Sequence, residues 1–225
     1  MVMAAGSKAP GVRPRRALLV APRIGVFGGT FDPPHHGHLA AAEWARDQLG
    51  LDKVVFVPAG TPPHKRDRAR SSAAARLAMT RLAVRGQPGF VVSDLETRRR
   101  GPSFTIDTLR ALAAREPRAH WYLIVGEDNL AEFATWREPD AILELATLVV
   151  ALRPRPASNA RVTGRHRVAV RVPGMSRRGA VVTLDNPGID LSSSAIRARE
   201  RAGHSIRYLV PAAVERCISR TRLYR

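Results

Sequence analysis

Short apolar runs alternate along this chain with longer stretches whose apolar residues recur at helical spacing. The runs IGVFG (24–28), VVFVPA (54–59), FVVSDLE (90–96), HWYLIVG (120–126) and TLVVALRP (147–154) are rich in Val, Ile and aromatics, as strands buried on both faces are. Between them, residues 37–50, 71–86, 103–116 and 138–146 have the composition and period of helices, with Ser71 and Ser103 as N-caps and Gly50 and Gly86 as C-terminal stops. Segment 153–180 breaks the rhythm, because Arg, Pro and Gly dominate and only RVAVRV resembles a strand. A last strand, AVVTLD (180–185), leads through Asn186-Pro187-Gly188 to two further helices at 192–203 and 211–222. Strand and helix in this alternation predict an α/β fold, with a central parallel sheet covered by helices on both faces. Such sheets bind ligands at the carboxyl ends of their strands. No internal repeat interrupts the pattern, so residues 23–225 are expected to form one domain behind a disordered basic extension, residues 1–22.

Composition narrows the class. No apolar run approaches the roughly 20 residues that span a bilayer, ALLVAP near the N-terminus is too short for a signal-peptide core, and a single cysteine, Cys217, excludes internal disulfides. A soluble cytoplasmic protein without membrane contact is the expectation. The formal charge of +18 is concentrated, since residues 1–23 and 151–182 contribute 13 of it without a single acidic side chain. Such segments attract polyanions. Neither interleaves aromatics as nucleic-acid platforms do, so solvated arginine is the preferred reading and nucleic acid is not the expected partner. Oligomeric state, a homo-oligomer included, is not encoded legibly.

The densest chemistry lies in RIGVFGGTFDPPHHGHLAAAEWA, residues 23–45. A buried strand ending in Gly28-Gly29 lets phosphates approach the backbone, and Pro33-Pro34 enforces an extended turn. A helix then begins around His35–Gly37, where unpaired N–H groups and the positive end of the dipole favour anions. His35 and His38 are three residues apart and share a helix face, whereas His36 falls between them. A structural zinc site would want four ligands, and only Cys217 and the scattered His64, His120, His166 and His204 remain to supply them. Phosphate binding is therefore preferred to metal binding, and no resident metal site is expected.

GGTFDPPHHGHL resembles the G-G-x-F-D-P-x-H-x-G-H signature of the nucleotidylyltransferase superfamily, matching at Gly28, Gly29, Phe31, Asp32, Pro33, His35, Gly37 and His38. LSSSAIR (191–197) is similar to the superfamily's second signature, I-S-S-T-x-I-R, with Leu191 for Ile and Ser194 for Thr. The resemblance implies a Rossmann-like three-layer fold of the nucleotidylyltransferase type, with ATP held by Gly28, Gly29, Thr30, Phe31, His35, Gly37, His38, Gly126, Asp128, Ser192, Ser193, Ser194 and Arg197.

Three further features resemble the bacterial nicotinate-mononucleotide adenylyltransferase family: the retained His35, the loop TPPHK (61–65), and the segments GPSFTIDTL (101–109) and GEDNLAEFATW (126–136). In the third, Phe104 stands where the family has Tyr. The resemblance implies AMP transfer from ATP to nicotinate mononucleotide, giving deamido-NAD and pyrophosphate in pyridine nucleotide biosynthesis. It also implies Mg²⁺ carried by ATP, and mononucleotide binding by His64, Lys65, Thr105, Trp136 and Arg137. Catalysis is expected from His35, His38 and Arg197. A sister enzyme using nicotinamide mononucleotide or another phosphorylated acceptor is the alternative, and a basic nucleic-acid-binding protein the remote one.

Overall fold

A computed structural model describes residues 21–61, 71–152 and 181–225. Residues 1–20, residues 62–70 with His64 and Lys65, and the arginine-rich segment 153–180 with RVAVRV all lie outside them. Pro22 is already part of the fold, its carbonyl accepting from His120 N at 2.7 Å.

Six parallel strands form the centre: β1 (Arg23–Gly29), β2 (Lys53–Pro58), β3 (Phe90–Val92), β4 (His120–Gly126), β5 (Ala146–Ala151) and β6 (Val181–Thr183), in the spatial order β3-β2-β1-β4-β5-β6. The order reverses between β1 and β4, so the crevice where ligands bind in such sheets opens at the carboxyl ends of these two strands, at Gly28-Gly29 and Gly126. Side chains alternate across the sheet. Val26, Leu123, Val125, Leu148 and Val150 face one apolar layer, while Phe27, Ile124, Val149 and Ala151 face the other. Both faces are covered, which is why these strands read as unbroken apolar runs.

Helices α1 (His36–Leu49), α2 (Ala73–Ala83), α4 (Thr105–Arg115) and α6 (Pro139–Leu145) follow their strands, joined by the short α3 (Leu95–Arg98) and α5 (Glu127–Glu132) and a 3₁₀ turn, Phe133–Thr135. None among the described residues is long and apolar enough to cross a membrane. Helices α7 (Ser193–Arg201) and α8 (Ala212–Thr221) pack on α2 in a third apolar cluster, built from Met79, Ile196, Ile206, Val210, Val214 and Ile218. That cluster fixes where the start of α7 points.

Several local expectations are corrected. The run 90–96 is not all strand: pairing with β2 ends at Val92, and Leu95–Arg98 turns into helix. Ser72, not Ser71, caps α2 by accepting from Ala75 N at 3.1 Å. Ser71 is buried, with its own N–H directed to Asp32 Oδ2 at 3.4 Å. Ser103 does not cap α4, which starts after Phe104; its Oγ accepts from Gly60 N at 3.2 Å instead. At Ser103 a long-range partner took the hydroxyl that local pattern assigns to a cap, whereas Ser71 is tied through its backbone N–H and leaves the cap to its neighbour. Gly50 does end α1, at φ 57°, but α2 stops at Val84, two residues before Gly86.

Past the ends of β1 and β2 the ladder no longer supplies partners, and buried carbonyls need another donor. Arg76 of α2, 2 % exposed, provides it. Its guanidinium donates to Thr30 O (3.0 Å), Gly60 O (2.9 Å), Ser71 O (3.3 Å) and, most closely, Ala59 O. Burial lowers the pKa of this group, and the Asp32 carboxylate works in the opposite direction. Arg76→Met would orphan four carbonyls and remove one of the positive charges near Asp32, and should destabilise the fold by about 3–5 kcal/mol in urea unfolding. Arg76→Lys should recover only part of this, because an ammonium lacks the fork. A loss under about 1 kcal/mol for the Met variant would contradict the clamp.

Candidate active site

The crevice is built from the turn that leaves β1. Phe31 adopts φ 50°, the left-handed region that favours glycine. Its ring holds the residue there, packed edge-on to Phe27 (5.6 Å between centroids) and to His38 (5.1 Å), and tilted against Phe56 at 5.8 Å. The chain then passes through Asp32 and a cis Pro33 to His35, which occupies the N-cap of α1. His35 and His38 stack with centroids 3.7 Å apart. A Cβ on Gly37 would sit 3.1 Å from His35 Nδ1, so glycine is what lets the imidazole lie against the helix start. His35 N donates to His38 Nδ1 at 3.2 Å, which makes Nε2 the protonated nitrogen of the neutral His38 ring. His35 is buried and His36 is exposed, the division expected from their spacing.

The second motif docks directly on this turn. Ser192 caps α7 through Ala195 N (3.1 Å), Ser193 Oγ donates to Pro33 O (2.9 Å), and Arg197 Nη1 donates to Asp32 O (2.6 Å). Arg197 Nε is buried and has no hydrogen-bond partner among the described residues. A buried guanidinium N–H without an acceptor is costly, and guanidinium groups are strong donors to carboxylate and phosphate oxygens. Residues separated by more than 150 positions therefore line one cavity: Gly28 to Asp32, His35, Gly37 and His38 from the first motif, and Ser192, Ser193, Ser194 and Arg197 from the second. Gly126 and Asp128 border it from the end of β4 and the first turn of α5. All the described residues expected to meet ATP are thus gathered here.

A second cavity adjoins the first across Gly28, Gly29 and Thr30. Thr105, Trp136 and Arg137 line it, as do Glu96, Ser103 and Thr108. Trp136 leans on Phe133 with centroids 5.3 Å apart. The Arg137 guanidinium lies 4.8 Å from the Phe104 ring centroid and is also within ion-pair reach of Asp107 (3.8 Å) and Glu138 (3.6 Å). Phe104, in the position of a family Tyr, thus offers an aromatic face to a cation. Glu96, Thr108, Asn129, Glu132 and Asn186 also line the two cavities, and sequence reasoning missed them. Glu96 sits in SDLETRRR, whose charge suggests a solvated turn. Its burial comes from the packing of α3 beneath β2, which no local pattern announces. Asn186 was read only as a turn residue, yet its amide pairs with both N and O of Leu152 at 3.0 Å, continuing β5 as another strand would.

Among the described residues no three His, Cys, Asp or Glu side chains are grouped to hold a metal ion. The donors at the phosphate end are imidazoles, hydroxyls, backbone N–H groups and a guanidinium, which suit phosphate oxygens directly.

A doubly wound parallel sheet with a glycine edge, a stacked His-x-x-His pair at a helix start and a Ser-capped Arg helix defines a nucleotide-binding protein built to handle polyphosphate. Residues 26–199 match the model of the cytidylyltransferase-like family. The "Probable nicotinate-nucleotide adenylyltransferase" of Thermomicrobium roseum is 44% identical over 203 residues, covering 90% of this chain and 92% of the relative. The protein of the same name from Citrifermentans bemidjiense is 46% identical over 212 residues, covering 90% and 98%. The chain belongs to the cytidylyltransferase-like family, in the branch whose relatives carry that name. Plasmodium falciparum nicotinic acid mononucleotide adenylyltransferase complexed with NaAD shares the fold at TM-score 0.70 and 15% identity, covering 90% of this chain and 97% of that one.

Glu96 gives a pH-dependent signature of the second cavity. Burial raises its carboxyl above the ordinary 4.5, against hydrogen bonds from Thr108 Oγ1 (2.7 Å) and Ser103. The folded protein therefore keeps this proton at pH values where the unfolded chain has released it. Its contribution to stability is complete below pH 4.5 and is lost as pH rises through the higher folded value. The stability of wild type relative to Glu96→Gln, from urea unfolding at a series of pH values, should fall as pH rises from 4.5. A difference that rises or stays flat would contradict the burial argument.

Proposed function

We propose that this protein is a nicotinate-nucleotide adenylyltransferase, transferring AMP from ATP to nicotinate mononucleotide with release of pyrophosphate. The observation that carries the reading is the closure of Ser193 and Arg197 onto Pro33 and Asp32, which turns two distant phosphate-binding motifs into one cavity. The neighbouring cavity, with a tryptophan wall and a shared glycine floor, supplies room for an acceptor. The names of the relatives point the same way.

The mononucleotide's 5′-phosphate is already a nucleophile at neutral pH, so neither a covalent intermediate nor a strong base is required. What the chain must do is align that phosphate with the α-phosphate of ATP and stabilise the charge that accumulates. Gly28, Gly29 and Thr30 lie between the cavities, where the two phosphates would meet. His38, its Nε2 bearing the proton, donates to the α-phosphate oxygens, and His35 braces it by stacking while adding a second donor. Arg197 and the start of α7 at Ser192–Ser194 take the β- and γ-phosphates that leave as pyrophosphate. Gly126 and Asp128 border the ATP cavity where ribose hydroxyls need an acceptor. No carboxylate cage is found among the described residues, so Mg²⁺ would arrive with ATP, and the chemistry it would supply is an offset to phosphate charge.

On the acceptor side Trp136 offers a flat face to the pyridine ring, and Thr105 at the start of α4 donates to the nicotinate carboxylate. Arg137 adds positive potential from the rim, while His64 and Lys65 are assigned to the acceptor's phosphate from sequence alone. Residues 23–225 act as one catalytic domain, with the basic extension outside it. The enzyme is placed in the cytoplasm, where both substrates are available, and needs no nucleic acid or membrane.

Pyrophosphate release should be supported by ATP with nicotinate mononucleotide, and less well by nicotinamide mononucleotide. Preference for the amide would move the chain to the sister activity. His38→Ala should lower kcat by at least about 100-fold, roughly 3 kcal/mol on the barrier, with little change in folding by comparison. Turnover near wild type would remove His38 from the mechanism.

A further inference from the structure

Beyond the two motifs, a third segment reaches the phosphate corner. After α8 the chain turns back through Arg222 and Tyr224, both at positive φ (50° and 75°), and lies against α2. Tyr224 Oη donates to Asp32 Oδ1 at 2.6 Å and lies 3.9 Å from Met79 Sδ. Next to it, Arg225 Nε donates to Glu200 Oε1 at 2.7 Å, and Glu200 is a buried residue of α7. One dipeptide thus grips both partners of the docked motifs, the turn before α1 and the helix that carries Arg197.

Asp32 is 1 % exposed, and its carboxylate is a buried anion beside two guanidinium groups. Arg76 is committed to the four carbonyls it clamps. Arg197 is not committed in that way: its Nη1 bonds the Asp32 carbonyl at 2.6 Å and stands 4.0 Å from Asp32 Oδ2. Charge-assisted hydrogen bonds are stronger than those to a neutral carbonyl, so the carboxylate competes with the cavity for this guanidinium. A 2.6 Å bond from a phenol to Oδ1 weakens that competition by drawing charge away from Oδ2, the carboxylate oxygen nearer Arg197. The phenol is held in its protonated, donating form, because burial, and after it the hydrogen bond to Asp32, pushes its pKa far above the ordinary range.

We propose that Tyr224 is a positioning residue for the reaction: by bonding the Asp32 carboxylate it keeps Arg197 on the Asp32 carbonyl, with the buried Nε edge left for the phosphates of ATP. The proposal rests on the phosphate role given to Arg197 above, and makes Asp32 the point through which α8 reaches the site.

Tyr224→Phe removes one oxygen and keeps the ring against the apolar cluster of α2, α7 and α8. ATP titrated calorimetrically in the absence of any acceptor reads the ATP site alone, so an error in the identity of the acceptor leaves this test intact. Tyr224→Phe should weaken ATP binding about tenfold and leave KM for the mononucleotide within about twofold. In an Arg197→Lys background, where the guanidinium is already gone, the same change should cost less than about twofold in ATP affinity. Thermal unfolding of each variant reports the fold separately. Unchanged ATP affinity in Tyr224→Phe would overturn the proposal. So would an equal loss in both backgrounds, because the segment would then act on the fold and not through Arg197.

Discussion

Everything at the ligand edge depends on how the sheet ends. A parallel sheet satisfies its backbone internally, but the loops leaving β1 and β2 must cross the carboxyl edge without exposing carbonyls to an apolar interior. Arg76 resolves this with one buried guanidinium that holds Thr30, Ala59, Gly60 and Ser71. The cost is a charge deep in the protein, and Asp32 offsets it from the adjacent turn. With Thr30, Ala59 and Gly60 held in this way, Gly28–Thr30 forms a floor shared by both cavities.

The same carboxylate then organises the second motif. Asp32 presents its carbonyl to Arg197 and its side chain to Ser71 and Tyr224, so three distant parts of the chain converge on one residue. Its place in a phosphate-binding signature is thereby explained without direct contact with phosphate. It fixes the direction in which the chain enters α1, and with it the stacked pair His35 and His38. Catalysis by alignment demands this kind of rigidity, because misplacement by even an ångström is costly when no covalent step compensates.

The strands were legible because both faces of the sheet are covered, leaving unbroken apolar runs from β1 to β5. The residues that meet in the first cavity were legible because they are consecutive: GGTFDPPHHGH and SSSAIR each bring their lining side chains within one short segment. What escaped depends on partners far away in sequence. Ser71 and Ser103 looked like caps, but Asp32 and Gly60 claimed them across the fold. Glu96 looked like a solvated carboxylate and became a buried one because α3 folds under β2. Arg76 and Tyr224 had no distinguishing context at all, one inside an ordinary amphipathic helix and the other beyond the last helix. Clamps of this kind are set by three-dimensional coincidence, and periodicity carries no trace of them.

The account's central claim is that two adjoining cavities, meeting over Gly28–Thr30, hold the two halves of one dinucleotide. A crystal structure with deamido-NAD bound tests it directly. The diphosphate should cross Gly28–Thr30 within hydrogen-bond reach of His38, with the adenylate half in the cavity lined by Ser192–Arg197 and the pyridine ring against Trp136. A product lying wholly in one cavity, or with its pyridine ring away from Trp136, would contradict the account.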